Sequence, residues 1–251
     1  MSIALPAARI DIEVDNRTDE RGYNQVWKSG AALKVRTARR AELLGRSLDV
    51  PRNGRILEIG SGLGAKAALV ASLTGCHVTG LDLSMDFTER ARLANLNNDA
   101  VTFVRASVSE LASETPGTYD AVFGDGILHH LVYDLDRSLG LLKRLLRPGG
   151  TFAFLEPNKA NPYVFGIFNL EVLRRITKLE PDEMAFSRTF IHTKLVGTGF
   201  ANVAVSYRDF LVPGTPHWAV RPAVALGSVA ERTPVVRALS QSLLITGSSS
   251  I

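Results

Sequence analysis

From residue 55 onward, short apolar runs alternate with longer segments of helical periodicity. The apolar runs are rich in β-branched and aromatic residues and are bounded by Gly, Pro or Asp, which is typical of buried strands. The intervening segments repeat apolar residues every three or four positions, as an amphipathic helix does. The predicted strands are 55–60, 77–82, 101–106, 119–125 and 150–157, and the predicted helices are 65–74, 85–96, 108–113 and 134–146.

This alternation predicts a parallel sheet covered by helices on both faces. Ser84 is expected to cap the helix that follows it, and "RPGG" at 147–150 is expected to end a helix before the fifth strand. Beyond residue 157 the alternation lapses. We expect a helix that ends in "GTGF", a helical run near 223–240 and two late strands at 202–212 and 242–249, which makes seven strands in all.

Length and composition limit the classes of protein to which this chain can belong. The chain has 251 residues and is 45% hydrophobic, which is enough for one large domain. Its first residues lack a positively charged start followed by a long apolar run, so we expect neither a secretion signal nor a membrane anchor, and a cytoplasmic location. A single cysteine, Cys76, excludes an internal disulfide framework and a cysteine-rich zinc site.

Positive charge is concentrated near the start of the chain. The net charge is only +4, but residues 21–53 hold eight Lys and Arg residues against two acidic ones. Such a stretch could attract nucleic acid or anionic lipid. We favour the interpretation that these residues lie on a solvated helix face. Aromatic residues are not interleaved with it, which argues further against nucleic acid. The basic residues are Arg21, Lys28, Lys34, Arg36, Arg39, Arg40, Arg46 and Arg52.

A glycine-rich turn follows the first predicted strand. In "EIGSGLG" the glycines stand at 60, 62 and 64, where backbone N–H groups can approach a ligand at the start of the next helix. A dinucleotide fingerprint needs glycine at 65, and this chain has Ala65. Alanine is tolerated there, so the spacing alone leaves nicotinamide cofactors open.

Two acidic residues narrow the choice of ligand. Asp82 ends the second strand about 20 residues past the turn, where a carboxylate can accept hydrogen bonds from both ribose hydroxyls of an adenosine ligand. Glu58 lies inside an apolar strand, where a carboxylate is costly unless a positive charge is near. The sulfonium and ammonium of S-adenosylmethionine would supply that charge, whereas a pyrophosphate would be repelled.

Four segments, taken together and in order, resemble the successive motifs of class I S-adenosylmethionine-dependent methyltransferases that act on small molecules. They are "LEIGSGLG", "VTGLDLS", "YDAVFGDGILHHL" and "LLRPGGTFAFLEP", and they cover residues 55–157. The resemblance implies an α/β, Rossmann-like, mostly parallel sheet of seven strands whose last strand is inserted antiparallel. Around it we expect an N-terminal helical cap (1–53) on the cofactor domain (54–251), and a lid insertion at about 158–190.

The resemblance also implies a cofactor site at the carboxyl ends of the strands. The turn from Gly60 through Ser61 and Gly62 to Gly64 would wrap the methionine part, with Glu58 directed toward it. Asp82 would bind the ribose and Leu83 would flank the adenine. The residues expected at the adenine amino group and at the methionine end are Ser107, Val108, Gly124, Asp125 and Gly126.

Each of these residues also has a purely structural alternative. The glycines could only form a tight turn, Asp82 could only cap a helix, and Ser107 could only begin one. Ser107 replaces the Asp that the family often has there, so the charge that selects adenine is lost.

Methyl transfer requires that the acceptor be positioned and that water be excluded. A base is needed only where the acceptor must lose a proton. His129, His130 and Glu156 are the catalytic candidates, because histidine accepts protons near neutral pH and Glu156 ends the fifth strand. The histidines could instead be structural, and Glu156 could anchor the lid. We expect no metal site, because adjacent helical residues diverge by about 100° and only Asp134, read as a helix cap, follows as a third ligand.

Aromatic residues outside the sheet predict an enclosed acceptor pocket. The expected contacts are Tyr23, Trp27, Asn158, Tyr163, Phe165 and Phe168, although the aromatics could merely pack the cap onto the domain. "NPY" at 161–163 is read as a turn. The prediction is a methyltransferase for a small organic acceptor, at O, N or C. An RNA or protein methyltransferase and a non-catalytic cofactor-binding partner are the alternatives, and a homo-oligomer stays open.

Overall fold

The computed structural model describes residues 31–180, 182–212 and 214–250. Seven strands in this part of the chain form one sheet. No helix within it is long and apolar enough to cross a membrane. The strands are β1 (Arg55–Ile59), β2 (His77–Asp82), β3 (Val101–Arg105), β4 (Tyr119–Asp125), β5 (Leu146–Pro157), β6 (Phe200–Arg208) and β7 (Ser242–Ser249).

The strand order across the sheet is β3-β2-β1-β4-β5-β7-β6. β1 pairs in parallel with β2 and β4, and β7 runs antiparallel between β5 and β6. This confirms the predicted seven-stranded, mostly parallel sheet with an inserted antiparallel last strand. The carboxyl ends of β1 to β6 therefore meet at one edge, where open α/β sheets bind their ligands.

The helices cover both faces of the sheet. Ile56 and Leu57 are neighbours in β1 but belong to different buried clusters, because successive strand residues point to opposite faces. The helices are α1 (Ala31–Ser47), α2 (Ala65–Thr74), α3 (Met85–Ala94), α4 (Val108–Glu114), α5 (Leu135–Leu145), α6 (Pro162–Asn169), α7 (Glu171–Ile176), α8 (Arg188–Gly197) and α9 (His217–Ala230).

Most predicted boundaries agree with the structure within a few residues, and some local predictions were wrong. Ser84 does cap α3, since its hydroxyl accepts the N–H of Phe87. "RPGG" lies within β5 instead of ending a helix, because α5 already stops at Leu145. The run predicted near 223–240 divides into α9 and a short 3-10 turn at Val236–Leu239.

The prediction of a plain turn at "NPY" also needs correction. Asn161 is the N-cap of α6, and its side chain accepts the N–H of Val164. Pro162 occupies the first helical position, where the missing N–H costs no hydrogen bond. The predicted lid insertion therefore contains two short helices, α6 and α7.

Candidate active site

The glycine turn is fixed from below by β2. The N–H groups of Gly60 and Ser61 both donate to the carbonyl of Leu81, at 2.8 and 3.0 Å. Gly60 has φ +69°, and a Cβ there would lie 2.8 Å from Cδ1 of Ile127. A side chain at this position would therefore be strained and would also collide with the loop after β4.

Gly62 lies at the open side of the same turn. Its N–H donates to Oδ2 of Asp82 at 2.8 Å, and its φ is +51°. A Cβ built on Gly62 would have no neighbour within 4 Å in the part of the chain that the structure describes. The turn is thus tied to the acidic residue of β2 on one side and faces free space on the other, as a backbone cradle for a ligand requires.

Asp82 is oriented by backbone donors. Oδ1 accepts the N–H of Ser84 at 2.9 Å, and Oδ2 accepts that of Gly62. Burial raises the pKa of Asp82, and these backbone N–H groups oppose that rise. Each carboxylate oxygen can accept a second hydrogen bond, so the pair of oxygens is still able to receive two ribose hydroxyls.

Glu58 is fully buried in β1 beneath the turn. Among the described residues, neither of its carboxylate oxygens has a hydrogen-bond partner of ordinary geometry, and the same holds for the hydroxyl of Ser61. Burial raises the pKa of Glu58 to about 8, although the ammonium of Lys66 and the amide of Ala67 partly offset that rise. A buried carboxyl whose charged form is so weakly stabilised fits a ligand that brings positive charge.

The loop after β4 carries a second charged group. The Arg40 Nε donates to both oxygens of Asp125, at 2.9 and 3.0 Å, and the Lys66 ammonium lies 3.5 Å away. Burial alone would raise the pKa of Asp125, but Arg40 and Lys66 outweigh it and hold that pKa well below its usual range. The wall of the predicted site at 124–126 is therefore anchored by side chains that the sequence did not suggest.

Arg40 corrects the interpretation of the basic stretch as a solvated face. Its side chain is buried, and its Nη1 donates to Oδ2 of Asp209 at 2.9 Å and to the hydroxyl of Ser242 at 2.8 Å. With Asp125, these contacts join α1 to the ends of β4, β6 and β7. Asp209 and Ser242 were not predicted as site residues either.

His129 is held by Glu156. The Nδ1 of His129 lies 2.8 Å from Oε2 of Glu156, and both side chains are buried. Glu156 also accepts the N–H groups of Ile127 and Leu128, at 3.0 and 2.7 Å. This arrangement favours the alternative role of Glu156, as an anchor, over proton transfer, although the anchored segment is the loop after β4.

His130 has a different carboxylate neighbour. Its Nδ1 lies 3.0 Å from Oε1 of Glu183, which precedes α8 and was not predicted. The rings of His129 and His130 are 4.0 Å apart. The sequence-based expectation of no metal site considers only ligands that follow at i+3 or i+4, whereas the fold also brings Glu183 close, so that potential ligand atoms of His129, His130 and Glu183 lie within 4.8 Å of one another. That grouping by itself assigns no metal.

Two predicted ligand contacts are occupied by local structure. Ser107 caps α4 in a capping box, in which its hydroxyl donates to Glu110 and accepts the Glu110 N–H. Asn158 is buried, and its amide donates to the carbonyls of Ala238 and Ser240. These bonds favour structural roles for both residues, because they leave the side chains few groups for a ligand.

The other predicted contacts fall on the edge of the site. Phe168 packs edge-on against His129, with ring centroids 5.8 Å apart, while Tyr163 and Phe165 are largely exposed on α6. Leu83 and Val108 are half-buried next to Asp82 and at the start of α4. Tyr23 and Trp27 lie outside the described residues.

Comparison with known proteins agrees with this geometry. Residues 57–154 match the family model described as a methyltransferase domain. This part of the chain is similar to a methyltransferase domain. The matched residues run from β1 into β5 and include the glycine turn, Asp82 and both histidines.

Curated proteins that are similar to this chain include two ubiquinone biosynthesis O-methyltransferases. That of Xanthomonas campestris pv. campestris is 36% identical over 114 residues, which is 45% of this chain and 46% of the relative. That of Xanthomonas axonopodis pv. citri is 33% identical over 63% of this chain and 65% of the relative. An S-adenosyl-L-methionine-dependent Diels-Alderase of Talaromyces variabilis is 33% identical over 43% of this chain and 38% of the relative. The chain spans about half the length of the first of these relatives.

Solved structures share the fold of this chain. A Haloferax volcanii methyltransferase, solved with its activator Trm112, superposes with a TM-score of 0.66 at 19% identity, over 95% of this chain and 98% of that one. Phosphoethanolamine N-methyltransferase 2 of Haemonchus contortus superposes with a TM-score of 0.60 at 18% identity, over 85% of this chain and 53% of that one.

Proposed function

We propose that this protein binds S-adenosylmethionine and transfers its methyl group to a small organic acceptor. The observation that carries the proposal is the fully buried carboxyl of Glu58 under the glycine turn, which has no hydrogen bond of ordinary geometry among the described residues and lies next to a strand that ends in Asp82. Asp82 would accept the ribose hydroxyls. Glu58 would face the positively charged end of the cofactor, whereas the pyrophosphate of a nicotinamide dinucleotide would be repelled.

The residues around the cofactor would position the acceptor and exclude water. When bound, S-adenosylmethionine supplies a methyl group that its sulfonium already activates. Phe168 and His129 would form one dry wall, and Ile127 would close the gap between the turn and the loop after β4.

His130 is the base that we propose. Glu183 lies beside its Nδ1, so Nε2 is the ring atom that would accept a proton from the acceptor. In this account His129 and Glu156 hold the loop and do not exchange protons with the acceptor. The names of the curated relatives favour an acceptor hydroxyl, such as that of a quinol, over nitrogen or carbon. A cytoplasmic location is part of the proposal and is compatible with one buried thiol.

The test combines ligand binding with a transfer assay. We expect S-adenosylhomocysteine to raise the Tm in a thermal shift experiment and NADH at the same concentration to leave it unchanged. Radiolabelled S-adenosylmethionine is then incubated with a panel of catechols, phenols and amines, and we expect label to enter a small hydroxylated acceptor. Stabilisation by NADH instead of S-adenosylhomocysteine would contradict the proposal.

Experiments on the same purified protein also test two alternative functions. The Diels-Alderase relative favours a second candidate, a protein that binds the cofactor without transferring its methyl group. Cofactor binding with no label transferred to any acceptor would support it. Methylation of RNA would require strongly salt-dependent RNA binding. The burial of Arg40 argues against that alternative, because its guanidinium already forms ion pairs with Asp125 and Asp209.

A further inference from the structure

Arg174 of α7 binds the backbone of two neighbouring segments of the chain. Its Nη1 donates to the carbonyl of Phe168, at 2.7 Å, and to that of Glu183, at 3.0 Å. Its Nη2 donates to the carbonyl of Glu180. Phe168 lies near the end of α6, whereas Glu180 and Glu183 precede α8. One guanidinium therefore joins α6 to the segment that leads into α8.

Both residues bound by Nη1 of Arg174 contact a histidine. The ring of Phe168 packs edge-on against His129, with ring centroids 5.8 Å apart. Oε1 of Glu183 lies 3.0 Å from Nδ1 of His130. The two histidine rings are themselves 4.0 Å apart. The backbone that Arg174 holds thus carries one side chain against each histidine.

Apolar packing contributes little to the position of α6 and α7. Every residue of α7 is described and none of them is buried, and Val164 is the buried residue of α6. Val172 and Ile176 of α7 are exposed apolar side chains. Segments with few buried apolar contacts move at a low cost in free energy. The hydrogen bonds of Arg174 are therefore important for the position of this region.

The backbone is anchored differently on the two sides of Glu183. Three residues further on, the N–H of Phe186 donates to the carbonyl of Pro157, at the end of β5. At Glu183 itself and three residues before it, Arg174 binds the carbonyls of Glu183 and Glu180. β5 thus fixes the far end of this short segment, and Arg174 fixes the end that carries the carboxylate.

The Glu183 carboxylate bears on which ring nitrogen of His130 carries the proton. Glu183 is buried, and among the described residues its Oε1 lies close to Nδ1 without the alignment of an ordinary hydrogen bond. Two acceptor atoms 3.0 Å apart repel each other unless a proton lies between them, so the contact favours a proton on Nδ1. Because such a contact weakens steeply with distance and angle, a displacement of Glu183 by about 1 Å would remove this preference.

We propose that Arg174 is a positioning residue for the acceptor side of the site. It holds the carboxylate of Glu183 against His130, so that Nδ1 carries the ring proton and Nε2 is the atom that accepts another. Arg174 acts through Glu183 and contacts neither the cofactor nor the acceptor. The consequence for methyl transfer rests on the proposed function, whereas the tautomer of His130 is a property of the free protein.

The ring tautomers are measured in long-range ¹H–¹⁵N spectra of the ¹⁵N-labelled full-length protein, at a pH where the rings are neutral. The chain has five histidines, so a His130→Gln variant suffices to assign the signals of this ring. We expect the His130 proton almost wholly on Nδ1 in the wild type. Arg174→Gln should shift it to a mixture of Nδ1 and Nε2. Glu183→Ala should do the same, because it removes the carboxylate and leaves the carbonyl that Arg174 binds.

Arg175→Gln is the matched control. Arg175 follows Arg174 in α7, but its side chain is exposed and pairs with Glu171 of the same helix. This variant should keep the wild-type tautomer of His130. Arg174→Lys keeps the charge without the planar fork, so it should give an intermediate proton distribution. A Tm measurement verifies that each variant is folded, and Arg174→Lys takes the place of Arg174→Gln if the latter is not.

Methyl transfer gives a second readout with the acceptor that the panel of catechols, phenols and amines identifies. Arg174→Gln should lower kcat about tenfold or more, because the base is no longer held in its proton-accepting form. The Kd for S-adenosylhomocysteine should change by less than about twofold, because the carbonyls that Arg174 binds belong to the acceptor side and not to the glycine turn.

The inference is overturned if the wild type carries the His130 proton on Nε2, or if the folded Arg174 variant keeps the wild-type tautomer. A loss of affinity for S-adenosylhomocysteine equal to the loss in kcat would also overturn it, because Arg174 would then support the whole site. The absence of methyl transfer to any acceptor contradicts the proposed function alone, since the tautomer measurement needs neither cofactor nor acceptor.

Discussion

Replacing Asp82 by alanine is expected to weaken the binding of S-adenosylhomocysteine about 100-fold. Both carboxylate oxygens of Asp82 are oriented by backbone N–H groups and can each accept one ribose hydroxyl. Hydrogen bonds to a charged group contribute about 1.5–3 kcal/mol each, and about 1.4 kcal/mol corresponds to a tenfold change in Kd. Isothermal titration calorimetry of the purified variant measures the loss.

His130→Ala is the control for this experiment. His130 lies at the proposed acceptor side, so its removal should change the affinity for S-adenosylhomocysteine by less than about threefold while lowering methyl transfer. Equal losses of affinity in the two variants would contradict the division of roles between cofactor binding and proton transfer. Asp82→Asn should lie between Asp82→Ala and wild type, because the amide keeps one acceptor oxygen.

Replacing Glu58 by glutamine should stabilise the free protein at alkaline pH. In the unfolded chain Glu58 has its ordinary pKa of 4.5, while burial raises the folded value to about 8. Between these two pH values unfolding releases a proton. The contribution of Glu58 to the free energy of unfolding of the wild type is therefore fully present below pH 4.5 and is lost as the pH rises to about 8. Glutamine does not ionise, so the advantage of Glu58→Gln should grow to about 4 kcal/mol at pH 8.

Denaturant unfolding of both proteins from pH 4.5 to pH 9 measures this difference. Glu42→Gln, on the exposed side of α1, is the control and should show a flat difference over the same range. An advantage of Glu58→Gln that does not change with pH would mean that Glu58 is already paired in the free protein. The same variant should bind S-adenosylmethionine more weakly, because the buried carboxylate opposite the positive charge is gone.

Local patterns in the sequence were sufficient to predict the sheet. Strands such as 77–82 and 119–125 are short, have apolar residues between their polar ends and lie next to turn residues, so their limits could be predicted directly. Glu58 and Asp82 could also be selected, because an acid in an apolar strand or at its end is conspicuous. These predictions need only the chain neighbours of each residue.

Contacts between distant segments could not be predicted in this way. Arg40 and Asp125 are 85 positions apart, and Glu183 reaches His130 from the segment before α8. Arg36 and Arg40 do have a local signal, since residues four apart share one helix face and Arg40 is followed by the buried Ala41 and Leu44. A charge on the apolar side of a helix is therefore the same kind of signal as Glu58 in its apolar strand.

Some predictions from the local sequence failed because the same residues are compatible with two local structures. Asn161 and Pro162 suit a turn and suit the start of a helix equally well, and the apolar residues that follow decide for α6. Ser107 similarly suits a ligand contact and a helix cap, and Glu110 three residues later decides for the cap.

The central claim is that the glycine turn, Glu58 and Asp82 form a site for S-adenosylmethionine. A crystal structure of the complex with S-adenosylhomocysteine tests it most directly, through the distances from the ribose hydroxyls to the carboxylate of Asp82. We predict both hydroxyls within hydrogen-bond distance of Asp82, the amino-acid end over Gly60 to Gly64, and the Nε2 of His130 directed toward the vacated methyl position. A ligand bound elsewhere, or a ribose that does not contact Asp82, would contradict the account.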